Sequence, residues 1–294
     1  MTTQTWVSAI AHSNDADFRA WGSELSGKLA AAGLVKHTDT GQINWSTVTR
    51  PATSTAGGFE IWRFDDSLQA TAPIYLKIEY GSGNNAAYPQ IWLTVGTGTN
   101  GSGTLNGTVS DRNPVAFSGA ASAGNYPSYL CVAAGFVGLL HKSGASGSST
   151  GFAFFAVSRT HDTAGDATGN GFFVLWGAPS SAMACNSQSV RTAATAVAYT
   201  ASSIYTCVPG QPAGSLVGAD YQVYPVMGIG PRVYVHPTLA TVIASEVPAG
   251  TTFSVAMVGA AARTLLSVGS GFRCVVAGTG SGSISTYGIA MLWE

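Results

Sequence analysis

Charge is what this 294-residue chain has least of: Asp, Glu, Lys and Arg together make up 9% of it, where average soluble proteins carry about a quarter. Its 13 basic residues are scattered almost singly and the formal net charge is −1, so the clustered cations that hold nucleic acid are missing. Cysteine is sparse too. Cys131, Cys185, Cys207 and Cys274 stand far apart, with no CxxC pair and no histidine at ligand spacing. That pattern argues against a metal site and for reduced, buried thiols. No apolar run is long enough for a membrane-spanning helix, so no membrane insertion is expected. The opening MTTQTWVSAIAHSND lacks a basic n-region and a long apolar h-region, and no secretory signal is expected from it. HExxH and P-loop patterns are absent as well, and no GxSxG nucleophile elbow is expected.

Apolar material is plentiful by comparison. Hydrophobic residues reach 46%, with 7 Trp, 12 Phe and 11 Tyr, which excludes a disordered chain. A surface so poor in charge solubilises a free monomer weakly. We therefore expect an assembly component whose surface lies against other subunits. The alternative is a soluble surface of Ser, Thr, Asn and Gly.

One segment, 13–34, has helical spacing: Phe18, Trp21, Leu25, Leu29 and Ala32 recur at intervals of three and four. Asn14 suits the N-cap with Asp17 three residues on, and Gly33 suits the position just past the end. Gly22 and Gly27 weaken that helix, so it is expected to depend on docking. Most of the remaining chain reads as β. In 73–81, Ile74, Leu76, Ile78 and Tyr80 alternate with Tyr75, Lys77 and Glu79, which puts one face on a core. With 58–64 and 89–98 this predicts an antiparallel meander. Further strands are expected in 128–142 (as a buried pair), 150–160, 170–178, 196–208, 220–230, 232–236, 251–259, 271–278 and 287–293. The fold class expected is mainly β, an antiparallel sandwich or barrel with one N-terminal amphipathic helix. The polar stretch 96–119 marks a boundary, with domains at 1–105 and 106–294, or else a long loop inside one domain.

Four features bear on chemistry. Gly96-Thr97-Gly98-Thr99-Asn100-Gly101 has the GxGxxG spacing after a strand. A dinucleotide fingerprint needs a helix next, and the SGTLNGTVSDRNP stretch beyond Gly101 cannot open one. No cofactor is expected. Asp65–Asp66 and Asp162/Asp166 are the carboxylate pairs a glycosidase would need, but both sit in turn-like context. The five histidines are isolated, and His161-Asp162 is their only acidic neighbour pair. Trp62, Tyr75, Trp92 and Trp176 are read as core or interface in preference to a sugar-stacking surface. The chain is expected not to be an enzyme, with no catalytic or metal-binding residues.

The stretch 41–83 resembles a family of uncharacterised virion structural proteins of tailed bacteriophages and prophages. The similarity lies in Gln42-Ile43-Asn44-Trp45, Thr49-Arg50-Pro51 and Gly58-Phe59-Glu60-Ile61-Trp62-Arg63-Phe64. It continues through Leu68-Gln69-Ala70-Thr71-Ala72-Pro73 and Lys77-Ile78-Glu79-Tyr80-Gly81, with 158–176 and the helix from Phe18 to Leu34 also similar. The resemblance implies a place in a phage particle made in the bacterial cytoplasm, in the tail or baseplate more than the head. It implies partners among copies of this chain, in three-fold or six-fold symmetry, and other virion proteins. Alternatives are a receptor- or carbohydrate-binding module of a tail fibre or spike, a capsid decoration or head fibre protein, and a glycan depolymerase. Segments 81–88, 96–113 and 161–170 are expected to be exposed and partner-seeking. The contact residues expected are Tyr75, Asn84, Asn85, Asn100, Asp111, Arg112, His161, Asp162 and Asp166, touching another subunit, a host glycan or a receptor.

Overall fold

The computed structural model describes residues 1–84, 88–117, 124–142, 152–161, 167–177, 189–192, 198–199, 204–206, 223–229, 233–242, 250–255, 263–276 and 284–293. Strand β1 (Thr2–Ile10) precedes the helix α1 (Asp15–Ala31). The Asn14 side chain accepts from the Asp17 N–H at 3.0 Å, while Asp17 accepts from the Ser13 N–H and hydroxyl. Those bonds, the Ser13 hydroxyl above all, hold the Asp17 carboxyl below its usual range. At the other end Leu34 N–H bonds to Leu29 C=O and Gly33 N–H to Ala30 C=O, with Gly33 at φ +106°. This is the Schellman arrangement, and it needs a residue that tolerates a left-handed backbone.

Strands β2 (Val35–Lys36), β3 (Ala56–Arg63), β4 (Tyr75–Ser82) and β5 (Pro89–Gly96) come next, then β6 (Gly98–Thr99), β7 (Leu105–Asn106) and β8 (Asn113–Ala116). The expected meander is present: β3, β4 and β5 pair antiparallel in turn, within the sheet order β2-β3-β4-β5-β8. Along β4, Leu76, Ile78 and Tyr80 are buried while Tyr75, Lys77 and Glu79 are half-buried, as the period of two requires.

The next strands are β9 (Gly124–Ala133), β10 (Phe136–Lys142), β11 (Phe152–His161), β12 (Ala167–Gly177), β13 (Ser189–Thr192) and β14 (Ala198–Tyr199). They form a seven-stranded antiparallel sheet with β1 at its edge, in the order β1-β9-β10-β11-β12-β13-β14. The buried pair expected in 128–142 is the β9–β10 hairpin. A third sheet comprises β15 (Ile204–Thr206), β16 (Val223–Ile229), β17 (Val233–Val242), β18 (Thr252–Val255), β19 (Arg263–Val276) and β20 (Ile284–Leu292). Its order is β15-β16-β17-β20-β19-β18, and β15 also pairs parallel with β19, so the pairing returns on itself. The single strand expected over 196–208 is instead two short ones in different sheets. Strand β19 begins eight residues earlier than its expected start. The chain is mainly β with one N-terminal helix among the described residues.

One buried cluster joins the pieces. Phe18, Trp21, Leu25 and Leu29 of α1 meet Leu76, Ile78, Tyr80, Ile91 and Leu93, and also Leu130, Val132, Leu139, Phe155 and Val174. The helix thus shares one core with the five- and seven-stranded sheets. The 105/106 position falls inside β7, and pairing crosses it three times: Gly98 with Asn106, β5 with β8, and β1 with β9. Gly22 has a packing reason, because a Cβ there would lie 2.0 Å from the Trp45 ring.

Candidate functional site

Strand alternation turns a second row of side chains to the face of the five-stranded sheet opposite the helix. Phe59, Glu79, Trp92 and Pro114 stand in cross-strand register, and beside them Ile61, Lys77 and Thr94. Cations cover two of the aromatic rings on this face. Lys77 Nζ lies 4.8 Å from the Phe59 centroid, and the Arg112 guanidinium lies 4.2 Å above Trp92. Arg112 is held there by Glu79, donating from Nε at 2.7 Å and from a terminal nitrogen at 3.4 Å. Trp92 keeps only 6% of its surface exposed. Tyr75 meets the edge of His37, centroids 5.1 Å apart.

The glycine-rich stretch after β5 folds back as the β6–β7 hairpin, so Gly101 leads into a strand and not a helix. Gly101, Gly103 and Gly107 have positive φ, which turns this tight demand. Asn100 shapes the tip, its carbonyl oxygen accepting from Ser102 and Thr104 N–H. Asp39 anchors it, accepting from Gly103 N–H at 2.8 Å, from the Thr99 hydroxyl and in a hydrogen bond with His37. Burial pushes the Asp39 carboxyl up, but those three hydrogen bonds outweigh it and leave the pKa below the ordinary value. No nucleotide cradle is formed: the backbone N–H groups here are turned to Asn100, Thr99 and Asp39.

The contact residues expected from sequence do not converge on one place. Tyr75 and Arg112 share the outer sheet face. Tyr75 opens β4 opposite Gly96, near the end of β5 from which the Asn100 hairpin springs, whereas exposed Asn84 lies beyond the far end of β4. Asp111 is exposed beside Arg112. His161 ends β11, its backbone opposite Ala167. Asn85, Asp162 and Asp166 lie outside the described residues. Of the four aromatics considered for stacking, Trp62 and Trp176 are in the core.

Three polar clusters escaped the sequence reading. Glu60, fully buried, accepts from Lys36 at 2.6 Å, Ser26 at 2.8 Å, Trp45 Nε1 at 3.1 Å and Tyr80 OH at 2.7 Å. Burial and the adjacent Glu60 charge push the Tyr80 phenol well above its usual pKa. A signal existed: Glu60 alternates in step with buried Trp62. The second cluster is Asp66, which binds buried Arg159 through two hydrogen bonds of 2.7 and 2.9 Å. Arg159 also donates to Ala72 C=O. Asp65, its neighbour, is exposed near Arg63. Arg159 borders a cleft of about 230 Å³ with Thr71, Pro73, Thr97 and Phe172. The third is a pair of buried histidines, His12 against Ser82 and His141 against Ser128. No sequence neighbour announces those two contacts.

Among the described residues, no group of three or more His, Cys, Asp or Glu could hold a metal ion, and no helix is long and apolar enough to cross a membrane. Cys131 is a buried thiol outside any disulfide, its Sγ 3.8 Å from Trp293 C=O, and Cys185 and Cys207 lie outside the described residues. The chain matches no protein-family model, and no curated protein matches it.

Proposed function

We propose that the chain is a structural component of a tailed-bacteriophage virion, placed in the tail or baseplate, and that it acts by assembling with copies of itself and with other virion proteins. The observation that carries the reading is where the family-like residues lie. Trp45, Glu60 and Tyr80 join in one buried hydrogen-bond cluster, and Phe18, Trp62 and Leu34 belong to the core. Residues shared with the resembling family thus form the interior of a scaffold. The acidic side chains support it too: Asp39, Glu60, Asp66 and Glu79 each hold two separate segments of chain together. Such a protein works by surface contact, with its few charges holding internal geometry.

The test is co-sedimentation of the purified chain with the virion proteins encoded beside it, together with mass spectrometry of purified particles. The reading expects a heavier species on mixing and several copies of the chain per particle. A chain that joins none of those proteins and is absent from particles refutes it.

A further inference from the structure

Among the described residues, one sheet edge is built unlike the others. β2 and β14 have two residues each, β15 three and β18 four. β8 has four and includes Pro114. Short length and proline are the usual means of keeping a sheet edge from pairing with another chain. β1 lies at the free edge of the seven-stranded sheet, is nine residues long and has neither safeguard. Its sequence, TTQTWVSAI, contains no charge, and its register on β9 runs from Thr2↔Val132 to Ile10↔Gly124 without a bulge. In an antiparallel pair, alternate residues turn N–H and C=O away from the partner strand. β1 therefore offers a straight row of such groups along about 30 Å.

A second, independent observation falls on the same strand. Met1 and Val7, 64% and 62% exposed, are the exposed large hydrophobic side chains of the described residues. One precedes β1 and the other lies within it. Trp6 packs on the core with Lys28 5.7 Å from its ring, so Thr3, Thr5 and Val7 share the other face.

We propose that β1 pairs antiparallel with β1 of a second copy across a two-fold axis, joining the two seven-stranded sheets into one. In a two-fold antiparallel pairing residue i faces residue j and j faces i, so a strand without charge meets no like charge in any register. TTQTWVSAI has none, and its Thr, Trp, Val and Ile are strong strand formers. The edge is thus uncharged and unguarded, with Val7 exposed on its open face. This inference stands apart from the virion reading: a chain that dimerises through β1 yet joins no particle keeps the one and removes the other.

The experiment is sedimentation velocity of the full chain over a wide concentration range, with hydrogen exchange measured at both ends of that range. The expected result is a reversible monomer–dimer equilibrium in which β1 amides exchange more slowly at high concentration. Val7→Lys should weaken the dimer by about tenfold or more with the circular dichroism spectrum and Tm unchanged. Should that variant fold poorly, exchange in the unmodified chain decides alone. A monomer at every concentration overturns the proposal and leaves a strand of a different protein as the partner for β1. A dimer whose β1 amides exchange no more slowly than the monomer's also overturns it.

Discussion

Acidification should destabilise this protein before its carboxylates protonate, because two histidines are buried in neutral form. His12 Nε2 lies 2.9 Å from Ser82 Oγ, and that hydroxyl already donates to Pro51 C=O. The Nε2–H must therefore donate to Ser82, which leaves Nδ1 as the bare nitrogen, and Nδ1 has no partner. Protonating it would bury both a charge and an unmet donor. Burial, helped by Arg50 and opposed by Asp17, lowers the His12 pKa to about 4. His141, fully buried against Ser128 with the Phe117 and Tyr126 rings around it, is pushed down to about 3 by burial, against an opposing contribution from the Phe117 backbone. In the unfolded chain both would titrate near 6.5. Below that pH the unfolded state takes up protons that the folded state declines, so stability falls from about pH 6.5 down towards the folded values. At about pH 5 each site withholds roughly 1.5 pH units of proton uptake, or about 2 kcal/mol. Together they remove about 4 kcal/mol of a typical total of about 5–15 kcal/mol. The lowered carboxyls of Asp17 and Asp39 act in the same sense only below the ordinary carboxylate range, beneath this window. Urea unfolding monitored by tryptophan fluorescence from about pH 7.5 to pH 5 should show the loss, and His141→Asn should remove about half of it. A stability flat across that range, or an undiminished loss in the His12→Asn/His141→Asn double variant, refutes the reasoning.

Three further outcomes rest on single substitutions. Asp66→Asn strands the Arg159 guanidinium, itself 1% exposed, and should destabilise by about 3 kcal/mol; a urea-midpoint change equivalent to less than about 1 kcal/mol would show that the pair does not hold the 65–74 loop to β11. On α1, Gly27→Ala meets no atom within 4 Å and should stabilise by about 0.5–1 kcal/mol through helix propensity. Gly22→Ala drives a methyl into the Trp45 ring and should destabilise by about 1–3 kcal/mol. Thermal melts of the two variants moving in the same direction would contradict this assignment.

What the sequence determined by itself was local. The 3–4 spacing of Phe18, Trp21, Leu25 and Leu29, the Asn14 cap and the Gly33 stop define α1, because a helix is closed by bonds within a few residues. The alternation in 73–81 likewise chose the buried face of β4, and the polar residues after Gly101 ruled out the helix a phosphate loop requires. Glu60 was half legible: its parity placed it inside, but its donors come from Ser26, Lys36, Trp45 and Tyr80, spread over 54 positions. Tertiary structure alone decided the rest. β1 is a strand because β9, over a hundred residues away, pairs with it; nothing in TTQTWVSAI specifies that partner. Asp66 and Arg159 are 93 positions apart, and their pairing depends on how two sheets share one core. Hydrogen bonds and ion pairs across such distances leave no periodic trace in a sequence, since their spacing is set by the path of the chain between them.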